Sequence, residues 1–306
     1  MNWNTPVETW AAWRKDKAAR AMSASGGLAA VISEQWVKEN GVVYGAAFVK
    51  PFDFRHIRCS TIEELQRLRG SKYVQSSING IHELIEKDLK NGRKVLFTGT
   101  PCQVAGICTR FKQYKSQLYC IDIICHGTPT VQTLRDSIPQ TVLELEFDHV
   151  EFRKNTQYQL SFKKGGMTVW ERPLSHDPYL KGFLKGFLSR DCCFKCTFAL
   201  VERISDLTLG DFWGIDLKAI PTSTEEGISL ALVNTEKGKE LLDSVKDQIE
   251  RVQRPLQEAV SGNQPLQHPM PLTWRRKVFK GLYPKTGFKW AAILAMPDIV
   301  LKNILK

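Results

Sequence analysis

No apolar run in this 306-residue sequence approaches the ~20 residues that a membrane-crossing helix requires. The opening stretch, MNWNTPVETWAAWRKDK, lacks the apolar core of a secretory signal. These two absences lead us to expect a cytoplasmic protein, with at most peripheral contact at a membrane. No G-x-G-x-x-G follows a strand-like segment, which removes the dinucleotide-binding fingerprint. There is no zinc-finger spacing, helix-turn-helix signature or RNP-like aromatic strand, so scattered basic residues do not make a nucleic-acid binder. Only one C-x-x-C knuckle is present, where structural zinc sites usually draw on two. Internal repeats and low-complexity segments are absent as well.

The chain does have 42% apolar content, enough for a sizeable core, and one or two domains suit its length. Its net charge of +11 favours an acidic partner, such as a ferredoxin-type carrier, anionic lipid or a phosphorylated substrate. Eight cysteines without an export signal read as buried thiols, metal ligands or redox centres rather than disulfides.

Strand and helix character alternate along the first half. Val42–Val49 is β-branched and aromatic, Lys94–Phe97 and Leu118–Ile124 are short apolar strands, and Ile62–Leu68 and Ile81–Leu89 carry helical spacing. In the middle, Val150–Phe152, Tyr158–Phe162 and Met167–Trp170 alternate, with Lys164-Gly165-Gly166 as a hairpin turn. Leu207–Leu209 and Ile228–Asn234 predict further strands, the latter leading into a helix over Glu236–Glu250. The mixture predicts an α+β fold with mixed sheets, flanking helices and strand-end turns converging on one site. Three regions are expected: 1–92, 93–250, and a C-terminal extension 251–306.

That extension begins with a Pro-, Gln- and Gly-rich stretch, Arg254–Pro271, that reads as a linker or extended wrap. From Gln264 onward its only acidic residue is Asp298, against Arg275, Arg276, Lys277, Lys280, Lys285, Lys289, Lys302 and Lys306. Such a basic, aromatic tail suits an anionic membrane surface or a partner. The plainer reading, a terminal helix packed on its own domain with solvated lysines, is the one we favour.

Cys193 and Cys196 form the C-x-x-C pair, spaced so that both thiolates face one centre. Cys102 in GTPCQ and Cys125 in CHG each follow a strand, and neighbouring strand ends converge. A four-thiolate site holding a [4Fe–4S] cluster is one reading. Free buried thiols and a zinc site are the others. Cys59, Cys108, Cys120 and Cys192 have no such context; Cys120 is read as packing, and Cys192 as a neighbour or substitute ligand. His126 follows Cys125 and suits a structural role better than a proton-transfer one.

Ser23-Ala24-Ser25-Gly26-Gly27 precedes an apolar helix, Leu28–Val37. Ser25 or a neighbour caps it in this reading, and the glycines leave backbone N–H groups open to a phosphate. Leu68–Ser76 adds cations, hydroxyls and an amide, a phosphate or ribityl cradle that also reads as a solvated loop. Gly210-Asp211-Phe212-Trp213-Gly214 predicts a tight turn that fixes aromatic rings, with Asp211 an alternative turn residue.

Taken together, SASGG, GVVYGAAF, LRGSKYVQS, KVLFTGTPCQVAGI, IDIICHG, DPYLKGFL, CCFKC and SDLTLGDFWGI resemble the coenzyme F420 hydrogenase/dehydrogenase beta-subunit family, in the family's order. The resemblance spans roughly residues 11–250. It implies a flavin, normally FAD, beside a [4Fe–4S] cluster, with Cys102, Cys125, Cys193 and Cys196 as cluster ligands. Ser25, Gly26, Gly27, Lys72, Tyr73 and Gln75 fall in segments it places near the flavin or substrate. With Thr100 of GTPCQ and Asp211 of GDFWG they make the candidate cofactor set. Relatives handle coenzyme F420 or act as ferredoxin-linked reductases of other small molecules. The C-x-x-C-x-x-C-x-x-x-C-P segment that some relatives carry is missing here, so electrons are expected from a separate, ferredoxin-like carrier. An F420-oxidising or F420-reducing subunit of a larger complex is the second enzyme reading, which leaves oligomeric assembly open. A non-catalytic zinc-binding module is the reading from another class.

Overall fold

A computed structural model describes residues 3–154 and 156–297. Eleven strands are present among them: β1 (Glu8–Arg14), β2 (Val42–Val49), β3 (Asp53–Cys59), β4 (Val95–Gly99), β5 (Leu118–Ile123), β6 (His149–Lys154), β7 (Gln157–Lys164), β8 (Met167–Pro173), β9 (Leu207–Asp211), β10 (Ser229–Val233) and β11 (Ile249–Gln253). Eight of them form one mixed sheet in the order β11-β1-β10-β9-β5-β4-β2-β3, and β6-β7-β8 form a small antiparallel sheet. With its flanking helices the chain is α+β, as the alternating pattern predicts.

The middle of the large sheet is parallel: β2 pairs with β4, β4 with β5, and β5 with β9 in the same direction. Parallel strands are covered on both faces, which is why KVLF and LYCIDII are apolar without alternation. Successive residues of β4 show the two faces. Leu96 joins the core with Leu28, Ile32 and Trp36, whereas Val95 and Phe97 join the core with Ile85, Val104 and Ile107. The helix Leu28–Lys38 thus covers one face, and Ile81–Lys90 and Pro101–Arg110 the other.

A third core is built of aromatic rings. Phe48, Phe52 and Phe54 from the β2–β3 end meet Phe147, Phe152 and Phe162 from the small sheet. The long helix Trp274–Ala295 packs onto the same core through Phe279, Phe288, Ala291, Ala292 and Ala295. The basic C-terminal residues therefore sit on a docked helix, as the plainer sequence reading has it. Trp274 and Trp290 remain more than half exposed, at 53% and 57%. Asp298, Lys302 and Lys306 lie outside the described residues. Among the described residues, no helix is long and apolar enough to cross a membrane.

Two elements differ from the sequence expectation. The helix expected over Glu236–Glu250 ends at Asp243, and Ile249–Gln253 is an edge strand paired with β1. Leu241, Leu242, Val245 and Ile249 keep helical spacing across the break, and no proline or glycine marks it. Within the expected linker, Leu256–Gly262 is helical.

Beyond the C-x-x-C knuckle the chain is fastened to β5 by a buried ion pair. Arg203 Nη2 donates to Asp122 Oδ2 at 2.8 Å, and both side chains are almost fully buried, at 2% and 1% exposure. Arg203 Nη1 also donates to the carbonyls of Phe198 and Leu200, bracing the segment that leaves the knuckle. Removing one partner strands a buried charge. Arg203→Met is expected to lower unfolding free energy by about 3–5 kcal/mol, and Arg203→Met with Asp122→Leu by less, as read by denaturant titration.

Candidate functional site

Two of the four predicted ligand positions, Cys102 and Cys125, follow the carboxyl ends of parallel strands, and the knuckle's Cys193 and Cys196 lie within electrostatic reach of Cys125. Cys102 lies in the first turn of the helix that follows β4, exposed, with Thr100 Oγ1 3.2 Å from its sulfur. Gln103 reaches back to accept the Thr100 N–H at 3.1 Å, which fixes the turn. Cys125 follows β5, and its thiol is pushed up to about 12 by burial, with the charges of Cys193, Cys102 and Cys196 pressing the same way. Burial also raises the Cys196 thiol, opposed by the Phe198 N–H and added to by the charges of Cys102 and Cys192. Cys125 therefore lies within electrostatic reach of the other three, and Cys196 within reach of Cys102.

Backbone N–H groups point at these sulfurs. Gly127 donates to Cys125, Thr128 to Cys193, and Phe198 and Ala199 to Cys196, each favouring the thiolate. Gly127 has φ +89°, and a Cβ there would stand 2.5 Å from Ser189 Oγ and 3.2 Å from Cys193 Cβ. Only glycine lets the CHG turn approach the knuckle. The knuckle, in the turn Asp191–Lys195, is anchored from behind: Asp191 accepts from Lys280 and Arg276 of the C-terminal helix, both at 2.8 Å. Those two cations, Lys280 first, hold the Asp191 carboxyl down to about 2. Among the described residues, no three His, Cys, Asp or Glu side chains stand close enough for a single metal ion.

Beside the thiols opens a cavity of about 550 Å³, within the range of small-molecule and cofactor sites. Cys125, His126, Gly127 and Thr128 form part of its wall, so one turn serves both thiol group and cavity. Ser25, Gly27, Lys72, Tyr73, Thr100 and Asp211 also line it. Gly26 does not. A Cβ there would lie 2.5 Å from the Ala12 carbonyl, so this glycine serves strand packing. Gln75 faces a second, smaller cavity of about 380 Å³ with Asp53, Ser77 and Asn79. The helix cap is Gly27, at φ +87°, whereas the Ser25 hydroxyl donates to the Ile228 carbonyl.

Several cavity residues are not singled out by the sequence. Arg153 of β6 donates to Asp211 at the end of β9, at 2.7 Å, joining the small sheet to the large one. Tyr158 lies under its guanidinium at 5.1 Å, and Tyr73 stacks on Phe183 at 4.7 Å. An arginine at an inward position of an alternating strand is the available signal. His126 is held below its ordinary pKa by burial, with Asp211 opposing. Lys72 is pulled down to about 7 by burial, yet its nitrogen meets the carbonyls of Leu68, Arg69 and Gly70 at 2.8, 2.6 and 3.0 Å. Only an ammonium has three protons for three acceptors, so Lys72 holds its own loop in the charged form.

His56, on the cavity wall, is neutral. Its Nε2 lies 2.9 Å from the Thr98 carbonyl, which only accepts, so Nε2 carries the proton and Nδ1 accepts from Ser76 Oγ. The Gln103 amide also donates to the Ser76 carbonyl, linking His56 through Ser76 and Gln103 to the Cys102 turn.

The architecture is thus an α+β protein with a thiol-rich crevice at the carboxyl ends of its parallel strands. The chain belongs to the coenzyme F420 hydrogenase/dehydrogenase beta-subunit family: the family profile for the C terminus of that beta subunit matches residues 92–258. Among solved structures, one chain of the F420-reducing [NiFe] hydrogenase complex from Methanosarcina barkeri, studied by xenon derivatization, shares the fold. Its TM-score is 0.58 at 18% identity, over 85% of this chain and 91% of that one. No curated protein matches the chain.

This geometry sets two expectations for stability. Burial lowers the His56 pKa from 6.5 to about 4, so the unfolded chain binds the extra proton first on acidification. The His56 contribution is complete above pH 6.5 and is lost as pH falls toward 4, at most about 3 kcal/mol. Denaturant titrations across that window should show a steeper loss in the wild type than in His56→Gln. Separately, Gly127→Ala should cost about 1–3 kcal/mol from the positive φ and the Ser189 clash, measured by thermal unfolding.

Proposed function

We propose that this chain is an iron–sulfur flavoprotein oxidoreductase. In this reading it exchanges single electrons with an acidic, ferredoxin-like protein at the thiol group. It exchanges a hydride equivalent with coenzyme F420 at the cavity. The observation that carries the reading is the turn Cys125–Thr128, which belongs to the thiol group and the cavity wall at once.

The residues fit the two cofactors. Three half-buried thiols and the exposed Cys102, pressing on one another, resist ionising together without a positive centre among them. Their mutual electrostatic reach suits a [4Fe–4S] cluster with Cys102, Cys125, Cys193 and Cys196 as ligands. The N–H groups of Gly127, Thr128, Phe198 and Ala199 would tune it. The start of the helix Leu28–Lys38, with Ser25 and Gly27 beside it, suits the FAD pyrophosphate, and Arg69 and the Lys72 loop flank it. When bound, the cluster supplies one-electron transfer and FAD the conversion to a two-electron step.

The chain itself binds, orients and excludes water. Tyr73, Phe183 and Leu209 give the cavity apolar walls, and the Arg153–Asp211 pair fixes the small sheet across it. His126 follows Cys125 on the cavity wall and suits proton exchange with a two-electron substrate. Cys102 and Cys192 are exposed, and the exposed Arg190 and Lys195 flanking Cys192 favour an acidic electron carrier at that face. Family membership favours F420 over other small-molecule substrates.

Anaerobically purified protein should be brown, with iron, sulfide and flavin by analysis, and should turn over F420 in a deazaflavin absorbance assay. Cys193→Ser with Cys196→Ser should abolish the iron–sulfur absorbance, whereas Cys192→Ser should keep it. Colourless protein holding zinc and no flavin would instead support a non-catalytic module. Flavin and cluster present without F420 turnover would direct the search to a ferredoxin-linked reduction.

A further inference from the structure

A second sulfur pair lies behind the cavity, apart from the four thiols of the site. Cys108 is on the last turns of the helix Pro101–Arg110, and Cys120 is in the centre of β5. Their Sγ atoms are 3.5 Å apart. Cys108 is half-buried and Cys120 fully buried, in a wall of apolar side chains that includes Val104, Ile107 and Phe111. Two free cysteines packed only for volume need not bring sulfur to sulfur. Here, closing the gap to a disulfide's ~2 Å takes about 1.5 Å of sulfur movement.

We propose that Cys108 and Cys120 form a thiol–disulfide site whose oxidant is a small-molecule disulfide of the glutathione type. The exposure difference sets the order of events. The thiolate of Cys108, the less buried of the two residues, attacks the oxidant, forming a mixed disulfide and releasing one small thiol. The Cys120 thiol then attacks the Cys108 sulfur, losing its proton, and the second small thiol leaves. The protein gives up two electrons and two protons, and one small disulfide becomes two thiols. The hydrogen bond to Cys120 lowers the Cys108 pKa, while Cys120, bonded to Cys108 and buried, is raised well above its ordinary value. Cys108 is thus the attacking sulfur on both counts.

The position gives the bond a consequence. The helix that carries Cys108 also carries Cys102 in its first turn, and β5 runs from Cys120 directly to Cys125. An S–S bond between them would brace, from below, the two elements that present half of the thiol site. The proposal does not depend on what that site binds.

The full chain, reduced and freed of reductant under anaerobic conditions, is treated with oxidised glutathione, alkylated with iodoacetamide and digested without reduction for mass spectrometry. The expected result is a peptide pair joined through Cys108 and Cys120, with both sites lost from the alkylated pool. In Cys120→Ser the same treatment should leave glutathione trapped on Cys108. Wild-type protein in which both cysteines remain alkylated, or in which Cys108 keeps glutathione or joins a different cysteine, overturns the proposal. If Cys120→Ser does not fold, the wild-type peptide map decides alone.

Discussion

Strand direction governs the arrangement of this molecule. Because β4, β5 and β9 run parallel, their carboxyl ends lie on one edge of the sheet, and each delivers a site residue there. β4 ends at Gly99 and hands over Thr100 and Cys102; β5 ends at Ile123 and hands over Cys125 and His126; β9 ends at Asp211 itself. Crevices outside the carboxyl ends of parallel strands are where α/β proteins bind ligands, because helices rather than strands must continue from that edge. The cavity of about 550 Å³ opens at this edge.

The knuckle bearing Cys193 and Cys196 does not belong to the sheet and has to be brought to that edge. Three fastenings hold it. Asp191 is gripped by Arg276 and Lys280, Arg203 is buried against Asp122 at the end of β5, and Gly127 removes the side chain that would keep Cys193 away from Cys125. Asp191 and Lys280 are solvent-exposed, so their pairing contributes little energy and acts by position, whereas Arg276 is buried and also donates to the Phe187 carbonyl. The Arg203–Asp122 pair is buried, and such pairs are costly to desolvate. Its return lies in register: the arginine also binds the carbonyls of Phe198 and Leu200, just beyond Cys196.

Much of this is legible in the sequence, and the reasons are specific. Apolar strands that stop at Gly-Thr-Pro or Cys-His-Gly announce both a buried parallel strand and the turn that carries the thiol, and the hairpin at Lys164-Gly165-Gly166 has both glycines at positive φ. What is not legible has physical causes. β1 reads Glu-Thr-Trp-Ala-Ala-Trp-Arg, with alanines where β-branched residues would signal a strand, because it sits between two partners with both faces covered. β11 keeps the helical spacing of the segment before it. Gly26 looks like Gly27, but one makes room for the Ala12 carbonyl and the other caps a helix at the cavity. The close approach that separates them is a tertiary fact. Likewise the cations of Leu68–Ser76 read as ligands for phosphate, while Lys72 spends its three protons on its own loop.

The Arg153–Asp211 contact shows why the smaller sheet matters. Sheets that only touch through apolar rings, as at Phe54 and Phe152, can slide without losing much, since hydrophobic contact has no direction. A guanidinium bonded to one carboxylate at 2.7 Å, to Tyr73 and to the Thr156 carbonyl cannot slide without stranding a charge. Arg153 is itself 9% exposed, so that penalty applies in full. The pair therefore sets the height of β6 over the end of β9. The placement of Tyr158, which lines the crevice against that guanidinium, is then a property of the fold rather than of whatever occupies the crevice.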